Sequence, residues 1–471
     1  MDTICAIATP AGGALGIIRV SGPEAITAAE RIFQPRMGKP LSQRANSSLT
    51  FGNVVDPQSG GVVDEVLVSL FRAPHSYTGE DSVELSCHGS LYILNKVVEL
   101  LLAQGCRMAR PGEYTERAFL NGKMDLSQAE AVADLIASTT EANHRMAMQQ
   151  MRGGFSKELR TLRDQLLHIT SLLELELDFS DHEELEFASR PELLALAERI
   201  RSHISALCQS FRLGNALKRG VPVALVGETN AGKSTLLNAL VGEERALVSN
   251  IHGTTRDTIE EIVNLGGTLV RFIDTAGIRQ TTDEVERMGI DRTYSKMTEA
   301  DIVLWLIDLT SYQSQYAELA DKIFANVKDK QLVILLNKTD LVSETTLAEA
   351  KSYITEQAAK HLPSAPMLLP LSAQTAQGMD QLREMLTSSL ATLQANTEQT
   401  ATIVSNLRHY EALSAALTAT DRVIEGLHQG LSGDFVSQDL RECIYHLSDI
   451  VGEVTTDQVL GNIFKHFCVG K

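Results

Sequence analysis

The sequence is poor in the features of secreted, membrane-spanning and strongly nucleic-acid-binding proteins. Its six cysteines are scattered over 471 residues without a CxxC pair or metal-ligand spacing, which excludes a disulfide scaffold and predicts a reducing, cytoplasmic environment. The apolar runs are too short to span a bilayer, and the opening MDTICAIATPAGG lacks the basic region of a signal peptide. The net charge of −18 means that any RNA substrate needs a local basic patch or a basic partner.

The tail FCVGK carries a cysteine four residues from its end, where a prenyl group is attached in lipid-anchored proteins. That motif requires an aliphatic residue where Gly470 stands, and Lys471 is not one of its usual last residues. No polybasic stretch upstream supplies a second membrane signal. We therefore expect the tail to have a role other than membrane anchoring.

Three sequence textures predict a multidomain α/β protein. Residues 1–118 mix short apolar runs with glycine and proline turns, which favours an N-terminal α+β domain. Residues 119–215 are helical in pattern, with a capping box at Asp125 and Gln128. An apolar stripe with the spacing of a bundle helix follows, at Leu159, Leu162, Leu166, Ile169 and Leu173.

Residues 216–385 alternate apolar strands with amphipathic stretches, the pattern of a parallel sheet with crossover helices. Residues 386–471 return to a helical pattern. Each helical segment alone would expose an apolar face, so we predict one helical bundle domain formed from two chain segments, with the α/β domain inserted between them. The second apolar stripe consists of Tyr410, Leu413, Leu417, Ile424 and Leu427.

The inserted domain begins with GETNAGKST (227–235), a P-loop pattern with an apolar strand before it and a helical stretch after it. Gly227 and Gly232 allow the backbone to wrap around phosphates, Lys233 can reach the terminal phosphates, and Ser234 can bind Mg²⁺. Alone, such a pattern can be a chance glycine-rich turn. Three further motifs remove that alternative, because they follow in the order of a GTPase.

GTTRD (253–257) supplies a threonine for Mg²⁺, and DTAG (274–277) follows a strand and can sense the terminal phosphate. In NKTD (337–340) the Asp340 carboxylate can accept two hydrogen bonds from guanine, a donor pair that adenine lacks, so the predicted nucleotide is GTP. SAQ (372–374) completes the base pocket. Ile278 stands where many GTPases have a water-orienting glutamine, so the acidic stretch 281–287 becomes the candidate for that role, although it is also typical of a solvated loop.

The whole chain resembles the MnmE (TrmE) family of tRNA-modification GTPases, in TPAGGALGIIRVSG, YTGEDSVELSCHG, RPGEYTERAFLNGKMDLSQAEAVADLI, the GTPase motifs, DEVERMGI and GEVTTDQVLGNIFKHFCVGK. The resemblance implies a homodimer with an N-terminal folate-binding and dimerisation domain, a helical domain and an inserted Ras-like P-loop G domain. It also implies an FAD-containing MnmG/GidA-like partner, in a heterotetramer or larger complex. Together they would use a folate one-carbon donor to add a carboxymethylaminomethyl or aminomethyl group to carbon five of the wobble uridine in certain tRNAs.

Within this resemblance, potassium takes the place of an arginine finger and is held by Asn230, Ser249, Ile251 and Thr254. The resemblance assigns magnesium binding to Ser234 and Thr255. It assigns the carboxylate that positions water to Glu286, with Asp283 and Glu284 as alternatives. Thr229 replaces the family's usual proline, and the turn near Gly12 is one residue shorter. The implied GTP-binding residues are Asn230, Ala231, Gly232, Lys233, Ser234, Thr235, Ser249, Asn250, Ile251, His252, Gly253, Thr254, Thr255, Asp274, Thr275, Ala276, Gly277, Asn337, Lys338, Asp340, Ser372 and Ala373.

A folate presents adjacent pterin N–H donors at one end and carboxylates at the other, so its site calls for one carboxylate and several cations. The resemblance assigns Glu84 to the pterin edge and Arg19, Lys123 and Lys471 to the basic set. Cys468 is either a catalytic thiol or a packing residue, and the sequence leaves both open.

Two other functions compete with this prediction. A regulatory GTPase switch of the ribosome-assembly kind would be expected to carry a dedicated RNA-binding module after the G domain, whereas the sequence beyond 385 has an amphipathic helical pattern. A folate-dependent aminomethyltransferase that acts without a partner would form product from GTP, folate and tRNA alone.

Overall fold

A computed structural model describes residues 2–10, 12–178, 189–228, 230–241, 261–273, 297, 299–327, 330–362, 364–395, 402–454, 456–465, 467 and 470. The strands are β1 (Ile4–Ile7), β2 (Leu15–Ser21), β3 (Phe33–Pro35), β4 (Ser48–Val55), β5 (Val62–Phe71), β6 (Ser82–His88), β7 (Arg107–Met108), β8 (Val221–Val226), β9 (Glu261–Leu265), β10 (Thr268–Ile273), β11 (Ile302–Asp308), β12 (Gln331–Asn337) and β13 (Met367–Pro370).

The helices are α1 (Ala25–Ile32), α2 (Leu91–Ala103), α3 (Glu113–Leu120), α4 (Leu126–Ala137), α5 (Glu141–Met151), α6 (Gly154–Asp178), α7 (Arg190–Arg219), α8 (Lys233–Val241), α9 (Tyr312–Asn326), α10 (Glu344–Ala358), α11 (Met379–Ala395), α12 (Leu407–Gln429), α13 (Gly433–Val451) and α14 (Asp457–Phe464). None of these helices, as far as the structure describes them, has the length and apolar character needed to cross a bilayer.

Two compact units divide the chain. The first unit contains Met1–Ile136, Met148–Leu172 and Leu440–Lys471, and the second contains Ala137–Ala147 and Leu173–Asp439. The domain boundaries predicted at 118, 215 and 385 follow sequence texture instead, and they remain predictions. The boundary at 215 falls inside α7.

In the first unit, seven of the described strands form one sheet in the order β3-β4-β5-β6-β2-β1-β7. Neighbouring strands are antiparallel except for the parallel pair β1 and β7. Alternate residues of β5 and β6, such as Val68 and Leu85, are fully buried in a core shared with α1 and α2. This arrangement confirms the predicted N-terminal α+β domain.

The structure confirms the predicted capping box of α4 and the predicted apolar stripe of α6. Asp125 and Gln128 form the expected reciprocal capping box at the start of α4, with two side chain to backbone hydrogen bonds of 2.9 and 3.0 Å. The stripe from Leu159 to Leu173 is buried along α6. In α12 the predicted apolar stripe from Tyr410 to Leu427 is partly wrong. Leu413 and Leu427 are buried, but Tyr410, Leu417 and Ile424 are only half-buried, and small residues such as Ala416 and Ala419 fill the most buried face instead.

Helices from the two halves of the chain pack together in the second unit. The rings of Phe211 on α7 and Tyr410 on α12 stack with centroids 4.5 Å apart, and Arg201 hydrogen-bonds to Asp421. These contacts confirm the predicted helical domain formed from two chain segments.

The second sheet has the order β13-β12-β11-β8-β10-β9 among the described residues, and only β9 is antiparallel to its neighbour. Side chains on both faces of β11 are buried, as expected for a parallel strand covered by helices on either side. The fold is that of a Ras-like P-loop G domain, and the P-loop strand β8 lies inside the sheet.

Candidate functional site

The P-loop connects β8 to α8 and depends on two glycines. A side chain at Gly227 would place its Cβ 2.4 Å from the carbonyl oxygen of Leu306, and one at Gly232 would lie 2.3 Å from Nδ2 of Asn337. Gly232 has a φ of 103° and Asn230 a φ of 66°, both left-handed. The sequence pattern therefore folds into the closely wrapped loop that it predicts.

Lys233 begins α8 and extends its ammonium group across the loop. Its Nζ donates to the carbonyl oxygens of Gly227 and Glu228, at 2.6 and 2.8 Å. The ammonium and the α8 N-terminus therefore lie at the same end of the loop, which suits a phosphate chain. Ser234 and Thr235, in the first turn of α8, complete the predicted set in the described part of this loop.

The base-recognition loops are tied to the P-loop through Asn337, at the end of β12. Its Nδ2 donates to the carbonyl oxygen of Ala231 at 2.7 Å, and its Oδ1 accepts from the backbone N–H of Ala373 at 3.0 Å. Asn337 and Ser372 are buried, whereas Asp340 is exposed. The NKTD loop thus exposes the Asp340 carboxylate, which is predicted to bind guanine. It buries the Asn337 amide, which joins this loop to the P-loop.

The sequence reasoning missed Asp308, the last residue of β11. Its Oδ2 lies 2.5 Å from Nζ of Lys338, and Oδ1 accepts from both the backbone and the hydroxyl of Thr310. Burial raises the pKa of Asp308, but the hydrogen bonds from Lys338 and Thr310 outweigh it and leave the pKa below its usual value. The signal was available, since a carboxylate ending a buried parallel strand lies at the edge where such sheets bind ligands.

Many of the predicted ligands lie outside the described residues. They are Ser249, Asn250, Ile251, His252, Gly253, Thr254, Thr255, Asp274, Thr275, Ala276, Gly277, Asp283, Glu284, Glu286, Cys468 and Lys471. Of the proposed metal ligands, Ser234 and Asn230 are described. A seryl hydroxyl in the first turn of α8 is where Mg²⁺ is held in P-loop proteins, so the residues present fit the ion.

Arg19 and Glu84, predicted to contact folate, are paired across neighbouring strands β2 and β6. Nε and Nη2 of Arg19 each lie 2.8 Å from Oε1 of Glu84. Lys123 donates to the carbonyl oxygen of Pro74 at 2.9 Å, and the amide of Asn121 donates to the nearby Thr78 carbonyl. The three described members of the predicted folate set thus lie in the first unit, two of them in direct contact.

The end of the chain packs onto the same unit. Gly112, the left-handed residue before α3, has no room for a side chain, because a Cβ would lie 2.8 Å from the carbonyl oxygen of Phe464 and 2.9 Å from Cβ of Phe467. Gly470 is buried, and Nη1 of Arg19 donates to its carbonyl oxygen at 3.4 Å. Phe467 is therefore docked against Gly112, and Gly470 lies beside the Arg19–Glu84 pair.

The P-loop, the base-recognition loop and the strand order together define a GTP-binding protein of the P-loop class. Two family models match the chain, one described as GTP-binding protein TrmE N-terminus over residues 3–123 and the other as MnmE helical domain over residues 126–468. The chain belongs to the MnmE (TrmE) family of tRNA modification GTPases.

Curated relatives agree over the full length. The tRNA modification GTPase MnmE of Bacteroides fragilis strain YCH46 is 58% identical, with 100% of this chain and 99% of that protein covered. The protein of the same name in Christiangramia forsetii is 49% identical over the same shares of the two chains. Among solved structures, the FeoB G-domain from Methanococcus jannaschii is 25% identical with a TM-score of 0.23, covering 36% of this chain and 97% of that one, a likeness too low to bear on the fold.

Proposed function

We propose that this tRNA modification GTPase works with an FAD-containing, MnmG-like partner to modify carbon five of the wobble uridine in certain tRNAs. The group added is carboxymethylaminomethyl or aminomethyl, and its one-carbon unit comes from a folate. The active form is a homodimer, and GTP hydrolysis depends on potassium. The full-length similarity to curated tRNA modification GTPases supports this reaction class.

The observation that carries the folate part of the proposal is the juxtaposition of Glu84, Arg19 and the chain end at Gly470. A pterin edge offers two adjacent N–H donors, which a carboxylate can accept. Both Arg19 contacts go to Oε1 of Glu84, so Arg19 leaves Oε2 available to a ligand. Lys123 and Lys471 would supply positive charge for the folate's glutamate carboxylates, and Cys468 would be delivered nearby by the docked tail.

The GTPase part of the proposal rests on the P-loop. Asn230 is an exposed amide in a left-handed turn of this loop, a suitable ligand for a monovalent cation beside the phosphates. Thr254, Ser249 and Ile251 would complete the potassium site, and Glu286 would orient the attacking water. A cation there would stabilise the charge that develops in the transition state.

The potassium dependence is tested by measuring GTP hydrolysis in potassium and in sodium buffers of equal ionic strength. The wild type should be faster in potassium by on the order of a thousandfold or more, as expected for a charge-stabilising group. The variant Asn230→Ala should lose this response and keep near-normal GTP affinity. Equal wild-type rates in both salts would contradict the potassium site.

The modification itself is tested by nucleoside analysis of tRNA from cells that lack this protein. Unmodified wobble uridines should accumulate, and the wild-type gene should restore the modification. Purified protein with GTP, folate, tRNA and an amine donor, either ammonium or glycine, should form product only when the flavoprotein partner is added. Product without the partner would favour the stand-alone transferase, and an unchanged uridine profile would refute the proposed reaction.

A further inference from the structure

All three nitrogens of the Arg19 guanidinium group have contacts within the first unit. Nε and Nη2 contact Oε1 of Glu84, and Nη1 donates to the carbonyl oxygen of Gly470. The guanidinium carbon also lies 5.5 Å from the ring centre of Tyr77 and 5.6 Å from that of Tyr114, within cation–π distance of both. Only 20% of the side chain is exposed. Few of the Arg19 N–H groups are therefore left to bind a ligand.

The two rings that flank Arg19 are themselves fixed. The Tyr114 hydroxyl donates to the backbone carbonyl oxygen of Arg19 at 2.8 Å, and Tyr114 is fully buried. The Tyr77 hydroxyl shares a 2.9 Å hydrogen bond with the hydroxyl of Thr115 on α3. Arg19 is therefore held in one orientation before any ligand arrives.

The backbone conformation of Gly470 brings its carbonyl oxygen close to the Arg19 guanidinium group. Gly470 has a φ of 95°, and a Cβ there would lie 2.5 Å from the carbonyl oxygen of Ile7 and 2.9 Å from Cα of Ala8. Ile7 is in β1, which pairs with β2 so that Ile7 lies opposite Ile18, beside Arg19. Only a residue without a side chain can approach this backbone closely enough for its carbonyl to face the guanidinium.

We propose that Arg19 is a positioning residue, which clamps the chain at Gly470 and orients Glu84, rather than a cation that binds the folate's carboxylates. Glu84 then offers Oε2 to the adjacent N–H donors of a pterin. The second role rests on the proposed folate function, whereas the clamp on Gly470 does not. The two can therefore be tested separately.

The first measurement is hydrogen exchange by mass spectrometry on the full-length protein without folate, following the peptide that covers residues 464–471. Arg19→Ala should speed exchange in this peptide by about tenfold, as expected for the loss of one charge-assisted hydrogen bond. Gly470→Ala should have the same effect, and the double variant should add little, because both changes break one contact.

Two variants serve as controls. Arg36 lies over the ring of Phe51 at 5.6 Å in the same unit, so Arg36→Ala removes a similar cation–π contact and should leave tail exchange unchanged. Tyr77→Phe keeps the ring over Arg19 and removes only the bond to Thr115, so its effect should be smaller than that of Arg19→Ala. GTP hydrolysis near the wild-type rate shows that the second unit is folded in every variant, and unchanged hydrogen exchange in α1 and α2 shows that the first unit is folded.

The second measurement is the affinity for 5-formyltetrahydrofolate by calorimetry. Both Arg19→Ala and Gly470→Ala should weaken it, although Gly470 offers no positive charge to a ligand. Normal tail exchange in Arg19→Ala would overturn the clamp, whether or not folate affinity falls. Faster tail exchange in Arg19→Ala, combined with no folate binding by the wild type, would support the clamp and refute the folate function.

Discussion

At the scale of single residues, Asn337 organises the nucleotide site by joining the P-loop to the loop that contains Ala373. We expect Asn337→Ala to weaken GTP binding by about tenfold or more and to lower the unfolding temperature without nucleotide, because two buried backbone groups lose their partner. Titration with a fluorescent GTP analogue and thermal unfolding would measure both effects.

The contrast variant is Asp340→Ala. Asp340 is exposed, so its loss should reduce GTP affinity and leave the unfolding temperature of the nucleotide-free protein unchanged. If Asn337→Ala behaves in the same way, the link between the two loops contributes nothing to stability and the role given to Asn337 is wrong.

Glu113 gives the first unit a defined pH dependence. Burial raises the pKa of Glu113, but hydrogen bonds from Arg107, the Arg110 amide and Arg117 outweigh it and bring the pKa to about 2. Since this lies below the ordinary value of 4.5, the stabilisation is complete above pH 4.5 and is lost as the pH falls towards 2. Glu113→Gln should cost about 2 kcal/mol near neutral pH, allowing for the partly exposed Arg107.

Thermal unfolding of the wild type and Glu113→Gln from pH 7 to pH 3 would check this prediction. The gap between their midpoints should be constant down to about pH 4.5 and should narrow below it. A gap that stays constant over the whole range would show that Glu113 does not ionise differently on folding.

At the scale of secondary structure elements, Gly214 lets the extended segment before α12 cross α7. A Cβ at Gly214 would lie 2.0 Å from the carbonyl oxygen of Val404, whose N–H donates to the hydroxyl of Ser210. Gly214→Ala should therefore destabilise the protein by about 1–3 kcal/mol, despite the better helix propensity of alanine. The matched control is Gly461→Ala in α14, where a Cβ meets nothing within 4 Å and propensity should raise stability slightly.

Urea unfolding of the two alanine variants would compare them. Equal stability of Gly214→Ala and Gly461→Ala would mean that the crossing at α7 relaxes without cost.

Local signals made most of these elements predictable from the sequence. Buried parallel strands such as β8 and β11 appear as continuous apolar runs, and the capping box of α4 depends on residues three apart. The strand β9 was not predicted because polar Glu261 and Asn264 leave it without the continuous apolar run of the buried parallel strands, at the antiparallel edge of its sheet. In α12, close packing on alanines moved the buried face away from the large residues.

The residues of the candidate site could be predicted where they belong to contiguous sequence motifs. The P-loop and NKTD each specify their own residues. The partners of those residues lie far away in sequence, as with Asn337 and Ala231 or Lys338 and Asp308. The end of a buried strand marks Asp308 as a candidate site residue, but no local pattern reveals which residues pair. The same holds for Arg19, whose contact with Gly470 joins positions 451 residues apart.

At the scale of the whole molecule, the P-loop lies in one unit and the docked chain end in the other. Deleting the last four residues should weaken folate binding and abolish tRNA modification, while GTP hydrolysis stays within about twofold of the wild type, because separate units hold the two sites. Folate calorimetry, nucleoside analysis and a GTPase assay on one preparation would test this. Normal modification by the shortened protein would remove any role for the tail.

The variant Cys468→Ser distinguishes a chemical role of the tail from a packing role. Serine nearly preserves the volume of cysteine but is a poorer nucleophile near neutral pH. Loss of modification with retained folate binding would assign the sulfur to the reaction, and retained modification would leave Cys468 as a packing residue.

The docking of Phe464 and Phe467 against Gly112 also affects how the protein is made. A ribosome finishes residues 1–136 long before it reaches residues 440–470, yet the two segments belong to one unit. Domains generally fold as the growing chain emerges, but here the surface around Gly112 stays uncovered until the end of the chain has been made. A nascent chain stalled just before residue 440 should therefore bind chaperones through this surface, and release of the complete chain should end that binding.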